Sequence, residues 1–211
     1  MIKFYTLKDG GRLSSCVGLC LWLLEETGKK YELINIDLYN GEHKTDYFLK
    51  LNPNGKIPCL NDDGFLLWES IAINYYVTTK YKPELLGKNI QETALVYQWT
   101  QWVSSEIQNN VNEIYRNAML PREQRNPAFV RNCKYKIMQG TAILDKELAG
   151  KKYLAGENFT LADINVAAIM SIHTVLHSEL NMYPNFNKWL NNVLKRPAIQ
   201  SLVDKKSIIL T

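Results

Sequence analysis

The feature that most limits the fold of this chain is a change of hydrophobic periodicity near residue 80. Before it, strand and helix signals alternate; beyond it, every regular stretch carries helical spacing. Ile2 to Leu7 and Tyr31 to Asp37 alternate apolar and polar side chains with a β-branched and aromatic bias, which predicts strands. Between them, Cys16 to Leu24 is apolar on every side, so the helix there is expected to be buried. Ser14 or Ser15 can cap its start, Glu25 and Glu26 lie near its far end, and Gly28 suits the left-handed turn after it. Gly41 to Lys50 is polar with weak helical spacing, and Asn52, Pro53, Asn54, Gly55 mark a turn. Ile57 to Leu60 and Phe65 to Trp68, separated by Asn61 to Gly64, predict a hairpin, and a helix follows from about Ser70 to Lys80. A parallel strand pair joined by a helix and extended by a hairpin predicts a small α/β domain over 1–80.

Residues 81–90, with Pro83, Gly87 and mixed charge, read as a linker, and 91–211 as an all-helical domain. The spacing of Leu95, Trp99, Trp102, Val103, Ile107, Val111 and Ile114 predicts one long helix from Gln91 to about Asn117. Further helices are expected over Pro127 to Leu148, Pro184 to Lys195 and Ala198 to Lys205. Thr160 to Asp163 reads as a capping box, the threonine hydroxyl accepting from the backbone and the acid returning the bond.

Composition narrows the functional classes. Hydrophobic residues are 46% and charged residues 22%, a globular balance rather than a disordered one. The longest apolar run spans nine residues, Cys16 to Leu24, where a membrane helix needs about 20; no secretory leader pattern is present, so a soluble cytoplasmic protein is expected, without a membrane partner. The four cysteines, Cys16, Cys20, Cys59 and Cys133, form no CxxC pair, which points to reduced thiols and to no metal site. Residues 1–80 carry 9 Lys and Arg against 10 Asp and Glu, and the rest of the chain 16 against 11, with no basic run longer than a pair. Nucleic-acid binding is therefore not expected.

The run Asn52-Pro53-Asn54-Gly55-Lys56-Ile57-Pro58, followed by Trp68-Glu69-Ser70-Ile71-Ala72-Ile73, resembles the glutathione-binding core of the soluble glutathione S-transferases. Leu161 to Ile164 resembles the capping motif of that family's helical domain, and Tyr183, Pro184, Asn185 and Trp189 its late helix. The resemblance runs the length of the chain. It implies a thioredoxin-like domain followed by an α-helical one, a cytoplasmic homodimer, and detoxification by conjugating the thiolate of glutathione, as co-substrate, to an electrophilic, partly apolar small molecule. Tyr75, Tyr76 and the long helix from Gln91 would supply the apolar dimer surface.

The chemistry of the ligand agrees with the residues. Glutathione is an extended anionic tripeptide, so its receptor needs a strand edge, donors for two carboxylates and an acid for the ammonium. Pro58 opens a strand and interrupts its pairing, with Ile57 supplying the backbone. Ser70 and the amides at its helix start would take the γ-glutamyl carboxylate, and Glu69 the ammonium. Gly41-Glu42-His43-Lys44 resembles a stretch of the phi and delta classes that meets the glycine carboxylate, which assigns His43 and Lys44 that role, with Lys56 as a further cation.

The thiolate needs a donor at the start of the first helix or the end of the first strand. Counting back from Gly28, Ser14 matches the serine slot of theta and delta enzymes, and Ser14-Ser15-Cys16 resembles the zeta motif. Ser14 is the first candidate, followed by Ser15, Cys16 and the strand-borne Tyr5. The preceding loop, residues 8–13, is longer than the family's connection and holds Gly10 and Gly11. Trp102, Tyr115 and Met119 are candidates for a second-substrate pocket. A non-catalytic alternative is a scaffold, because Gln98, Trp99, Glu106, Ile107 and the stretch Tyr153 to Ile164 are also similar to the transferase-like domain of elongation factor one gamma. A glutathione-dependent isomerase or oxidoreductase on the same fold is the other alternative.

Overall fold

A strand with both neighbours paired buries both faces, and β1 (Ile2–Leu7) is that strand: Ile2, Phe4, Tyr5 and Thr6 are all buried. The computed structural model describes residues 1–7, 11–172 and 182–209. In it, β1 pairs in parallel with β3 (Tyr31–Ile36) and antiparallel with β4 (Cys59–Asp62), and β4 pairs antiparallel with β5 (Phe65–Trp68). The order is β3-β1-β4-β5. The edge strands β3 and β5 are correspondingly more exposed.

The parallel connection from β1 to β3 passes through α1 (Cys16–Thr27), whose residues Val17 to Leu24 are all buried. The short α2 (Asp46–Leu51) contributes Phe48 to a cluster with Tyr5, Ile36 and Cys59. α3 (Ser70–Tyr81) packs on the same unit and is pinned at its far end by Asp62, which accepts from Tyr76 (2.7 Å), Lys80 (2.6 Å) and Tyr81 (2.6 Å). Burial by itself would raise the Asp62 carboxyl, but these donors, Lys80 foremost, hold it below the ordinary carboxylate range. The hairpin turn is tighter than the sequence suggests. Asp63 (φ 51°) and Gly64 (φ 98°) form a two-residue turn with both residues left-handed, and Asn61 accepts from the Gly64 amide at 2.8 Å.

Residues Met1–Leu86 and the segment from Lys195 onward form one unit; Gly87–Leu194 forms the other. This differs from the expected boundary in two ways. Pro83–Leu86, expected as linker, is a 3-10 turn with Leu85 buried. The last helix, α9 (Pro197–Asp204), belongs to the α/β unit, and after it Ile208–Ile209 (β6) pairs in parallel with Gly11–Arg12 (β2). Residues 91–211 are therefore not all helical.

Among the described residues the second unit contains α4 (Ile90–Trp102), a π-helical stretch Val103–Gln108, α5 (Asn109–Met119), α6 (Pro127–Glu147), α7 (Leu161–Met170) and α8 (Pro184–Leu194). The long helix expected from Gln91 is continuous to Met119, but its middle is wound as a π-helix. Its buried stripe Trp99, Val103, Ile107, Val111 advances in steps of four, more than the 3.6 residues of an α-turn, and wider i→i+5 turns absorb the excess. All ten residues of α7 are buried, so it is the unit's central helix. No helix among the described residues is long and apolar enough to cross a membrane.

Candidate functional site

The hairpin register decides what meets at the site. Cys59 pairs with Trp68, so one residue beyond the ladder Pro58 stands across from Glu69, with Ser70 opening α3 immediately after. On its other side Cys59 pairs with Tyr5 of β1, which brings the last residues of β1 beside them. The Ile57–Pro58 peptide bond is cis. Pro58 is buried, Ile57 half-buried and Lys56 exposed.

The loop before Pro58 is built around Asn52, which the sequence marks only as a turn residue. Asn52, buried, donates to the Lys56 carbonyl at 2.6 Å and accepts from the Asn54 amide and side chain at 3.0 and 3.1 Å. His43 and Lys44 sit on a 3-10 turn, Glu42–Lys44, that packs against this loop. Lys44 Nζ donates to the Gly55 carbonyl at 3.2 Å, and a Cβ on Gly55 (φ 57°) would lie 2.8 Å from the His43 carbonyl. Gly55 is thus required both by its conformation and by this approach. His43 Nδ1 is buried without a hydrogen-bond partner. His43, Lys44, Lys56, Ile57 and Pro58 are therefore brought together.

Glu69 is the N-cap of α3, yet its side chain makes no capping bond and its backbone lies at φ 71°, ψ 114°. The first intrahelical bond runs from Ile73 N–H to Glu69 O at 2.9 Å, so the amides of Ser70, Ile71 and Ala72 have no carbonyl four residues back within the helix. The positive end of α3 faces the same region as a carboxylate that the helix does not use. Ser70 is 6% exposed, and its carbonyl accepts a bond of 3.4 Å from Cys20 Sγ, which ties α1 to this start.

At the start of α1 the four hydroxyl or thiol candidates separate. Ser15 is the N-cap: its Oγ accepts from Gly18 N–H at 3.0 Å and donates to the Arg12 carbonyl at 2.6 Å, so its proton is committed. Ser14, in the turn immediately before, is fully buried. Cys16 is the half-buried first residue of the helix. Tyr5 lies in the core, edge-on to Phe48 at 6.3 Å, and burial, reinforced by Tyr47, pushes its hydroxyl up to about 12. None of the four cysteines is in a disulfide; burial pushes the Cys59 thiol up to about 12 and raises Cys20 and Cys133 as well. Of the loop 8–13, residues 8–10 lie outside the described residues.

Trp102, Tyr115 and Met119 are not gathered together. Trp102 packs edge-on to Trp99 at 5.4 Å and lines a recess of about 560 Å³ with Glu106, Ile107, Lys136 and Ile143. Tyr115 and Met119 do not line it, and Met119 is 86% exposed. Among the described residues no group of three His, Cys, Asp or Glu side chains is placed to hold a metal ion.

Two family models match the chain: glutathione S-transferase, N-terminal domain, over residues 10–79, and glutathione S-transferase, C-terminal domain, over 108–197. The chain is 32% identical over 203 residues to the probable glutathione S-transferase GSTF2 of Oryza sativa subsp. japonica, covering 92% of this chain and 93% of that protein. It is similar in structure to glutathione S-transferase-I bound with the ligand lactoylglutathione, at 29% identity and a TM-score of 0.84, over 96% of this chain and 98% of that one. Glutathione transferase F7 from Populus trichocarpa gives 29% identity and a TM-score of 0.85, over 99% and 100%.

Proposed function

Because the chain belongs to the glutathione S-transferase family, we propose that it conjugates the thiolate of glutathione to an electrophilic, partly apolar small molecule, with Ser14 as the group that stabilises the sulfur. The observation that carries this reading is the convergence fixed by the hairpin register: Pro58 across from Glu69, the uncapped start of α3 beside them, and the end of β1 alongside.

Each part of the tripeptide has a partner. The γ-glutamyl carboxylate takes the Ser70 hydroxyl and the first amides of α3, and its ammonium takes Glu69. The cysteinyl backbone lies along Ile57 and Pro58, as an added strand does. The glycine carboxylate lies toward His43, Lys44 and Lys56. The thiol loses its proton to solvent, Ser14 donates to the sulfur, the sulfur forms its bond to electrophilic carbon, and the leaving group departs with the electron pair of the bond it breaks.

A free thiol near pKa 8.5 is only a few per cent ionised at pH 7, so a donor at the positive end of a helix changes the rate directly. Ser14 is named because its spacing before Gly28 matches the serine slot of related enzymes, whereas Ser15 is the N-cap of α1.

The protein is proposed to act as a cytoplasmic homodimer in detoxification. The exposed Phe65, Leu66 and Trp68 of β5 and Leu95 and Tyr97 of α4 support association. Light scattering should give twice the 24.4 kDa chain mass.

The test of the reaction is Ser14→Ala. The pKa of bound glutathione, followed by thiolate absorbance near about 240 nm, should rise toward the free value, with turnover down about ten- to a thousandfold and affinity little changed. An unchanged titration removes Ser14 from the mechanism. Failure of the wild-type protein to bind immobilised glutathione would leave the scaffold reading instead.

A further inference from the structure

Residues 195–209 pack with the α/β unit although the sequence before them builds the helical one. α9 lies along α1 with Ile199 and Leu202 fully buried. Its polar contacts fall on the acidic pair at the end of α1. Arg196 grips Glu26 with two bonds, Nε to Oε1 at 2.6 Å and Nη2 to Oε2 at 2.8 Å. Ser201 donates to Glu25 Oε1 at 2.6 Å, and the Lys205 ammonium pairs with the same oxygen. Two carboxylates at a helix C-terminus oppose its dipole; these partners offset that.

Beyond α9 the chain turns at Lys206 (φ 55°), and β6 runs beside β2, Ile208 against Gly11 and Ile209 against Arg12. Ile208 is 3% exposed and Leu13 fully buried. The Arg12 carbonyl accepts both the amide and the hydroxyl of Ser15, at 3.0 and 2.6 Å. A Cβ on Gly18 would stand 2.4 Å from that carbonyl, so only a bare backbone lets the turn close onto α1. The turn that carries Ser14 is held by β6, by Ser15 and by Gly18.

We propose that residues 195–209 are a positioning strap for Ser14: β6 fixes the backbone of Gly11 to Leu13, and Arg196, Ser201 and Lys205 anchor β6 on α1. This rests on the Ser14 reading above. A two-residue ladder has little stability of its own, which is why its anchors matter. A displacement of about 1 Å at a reacting group is enough to cost about a hundredfold in rate.

The test uses the full chain carrying Ile208→Pro, which removes a strand amide, beside Ser14→Ala and the double variant Arg196→Ala/Lys205→Ala. In Ile208→Pro the amides of residues 12–16 should exchange with deuterium about tenfold faster, and kcat at neutral pH should fall about tenfold. The bound-thiol titration should move toward free glutathione, while KM for glutathione changes less than about threefold, because the groups that hold the tripeptide lie on other elements. The double variant should shift the same readouts in the same direction by less, and Arg196→Lys should restore part of the shift. It also serves as the test if Ile208→Pro does not fold. Unchanged exchange at 12–16 in a folded variant overturns the strap whatever Ser14 does. Faster exchange with an unmoved thiol titration, while Ser14→Ala moves it, overturns the strap and leaves Ser14 standing. An unmoved titration in Ser14→Ala itself overturns both.

Discussion

Two helices of this chain begin in opposite ways. At the start of α7 the buried Asp163 accepts from four donors: Thr160 N–H (3.0 Å), the Thr160 hydroxyl (3.2 Å), Leu154 N–H (3.0 Å) and Trp189 Nε1 (2.9 Å). At the start of α3 the cap residue Glu69 is exposed, makes no capping bond and holds a left-handed backbone. The first start spends its acid on its own polypeptide, and the second leaves an acid and three amides for something else. Both sequences show an acid or hydroxyl near a helix start, so residue type does not separate a structural cap from a binding one; internal satisfaction does.

The largest effect should come from Asp163→Ala. It strands the Leu154 and Thr160 amides and the Trp189 indole in the core, a loss of about 3 to 5 kcal/mol by urea unfolding. Glu69→Ala should leave unfolding within about 0.5 kcal/mol of wild type. Equal losses in the two variants would collapse the distinction between the starts.

Acidity separates the same regions next. Burial pushes the Asp163 carboxyl up to about 6 against its hydrogen bonds, so its folded form keeps a proton that the unfolded chain, near pH 4, gives up. Its contribution is therefore complete below about pH 4 and is lost as pH rises through about 6, an amount on the order of 2 to 3 kcal/mol. Asp62 and Glu25 have the opposite sign: despite burial, hydrogen bonds led by Lys80 and Lys205 hold both below the ordinary range. Their contributions are present above about pH 4 and are lost as pH falls through the depressed values. Unfolding of Asp163→Asn followed from pH 3 to 7 should lack the decline between 4 and 6 that wild type shows.

Binding should respond only at the open start. Glu69→Ala or Ser70→Ala is expected to weaken glutathione binding about ten- to a hundredfold, the equivalent of roughly 1.5 to 3 kcal/mol for a charge-assisted bond. Calorimetry with unchanged affinity in both variants would place the ligand elsewhere.

Much of this was legible in the sequence because it is local. The strands β1 and β3, the limits of α1 with Gly28 after it, and the Thr160–Asp163 box follow from spacing and cap chemistry. What was not legible depends on distant partners. Glu25 and Glu26 show in the sequence only as an acidic pair near the end of α1, and their partners Arg196, Ser201 and Lys205 stand some 170 residues further on. The turn length also mattered. A four-residue turn from Asn61 to Gly64 would set Pro58 against Leu67, whereas the two-residue turn at Asp63 and Gly64 sets it against Glu69. Asn52 was visible as a turn residue but not as the organiser of the loop, since its acceptors and donors lie within the next four residues in a conformation that spacing does not reveal. Ser14 and Ser15 were inseparable by type; the structure separates them by place, Ser14 fully buried before the helix and Ser15 capping it.

The smallest effect is the sharpest test of the comparison, because function and stability should move in opposite directions. Glu69 sits at φ 71° with ψ 114°, outside the region that side chains other than glycine occupy comfortably. Strain of this kind costs about 1 to 3 kcal/mol and persists where the surroundings enforce it. Glycine relieves the Cβ clash but adds freedom to the unfolded chain, so Glu69→Gly should gain only about 0.5 to 1 kcal/mol in unfolding. The same substitution removes the carboxylate, and glutathione affinity should fall as far as in Glu69→Ala. At the satisfied start no substitution at Asp163 is expected to raise stability at pH 7 while removing the capping bonds. A Glu69→Gly protein that is less stable than wild type would mean that the side chain supports the fold after all, and that the two helix starts differ less than their geometry indicates.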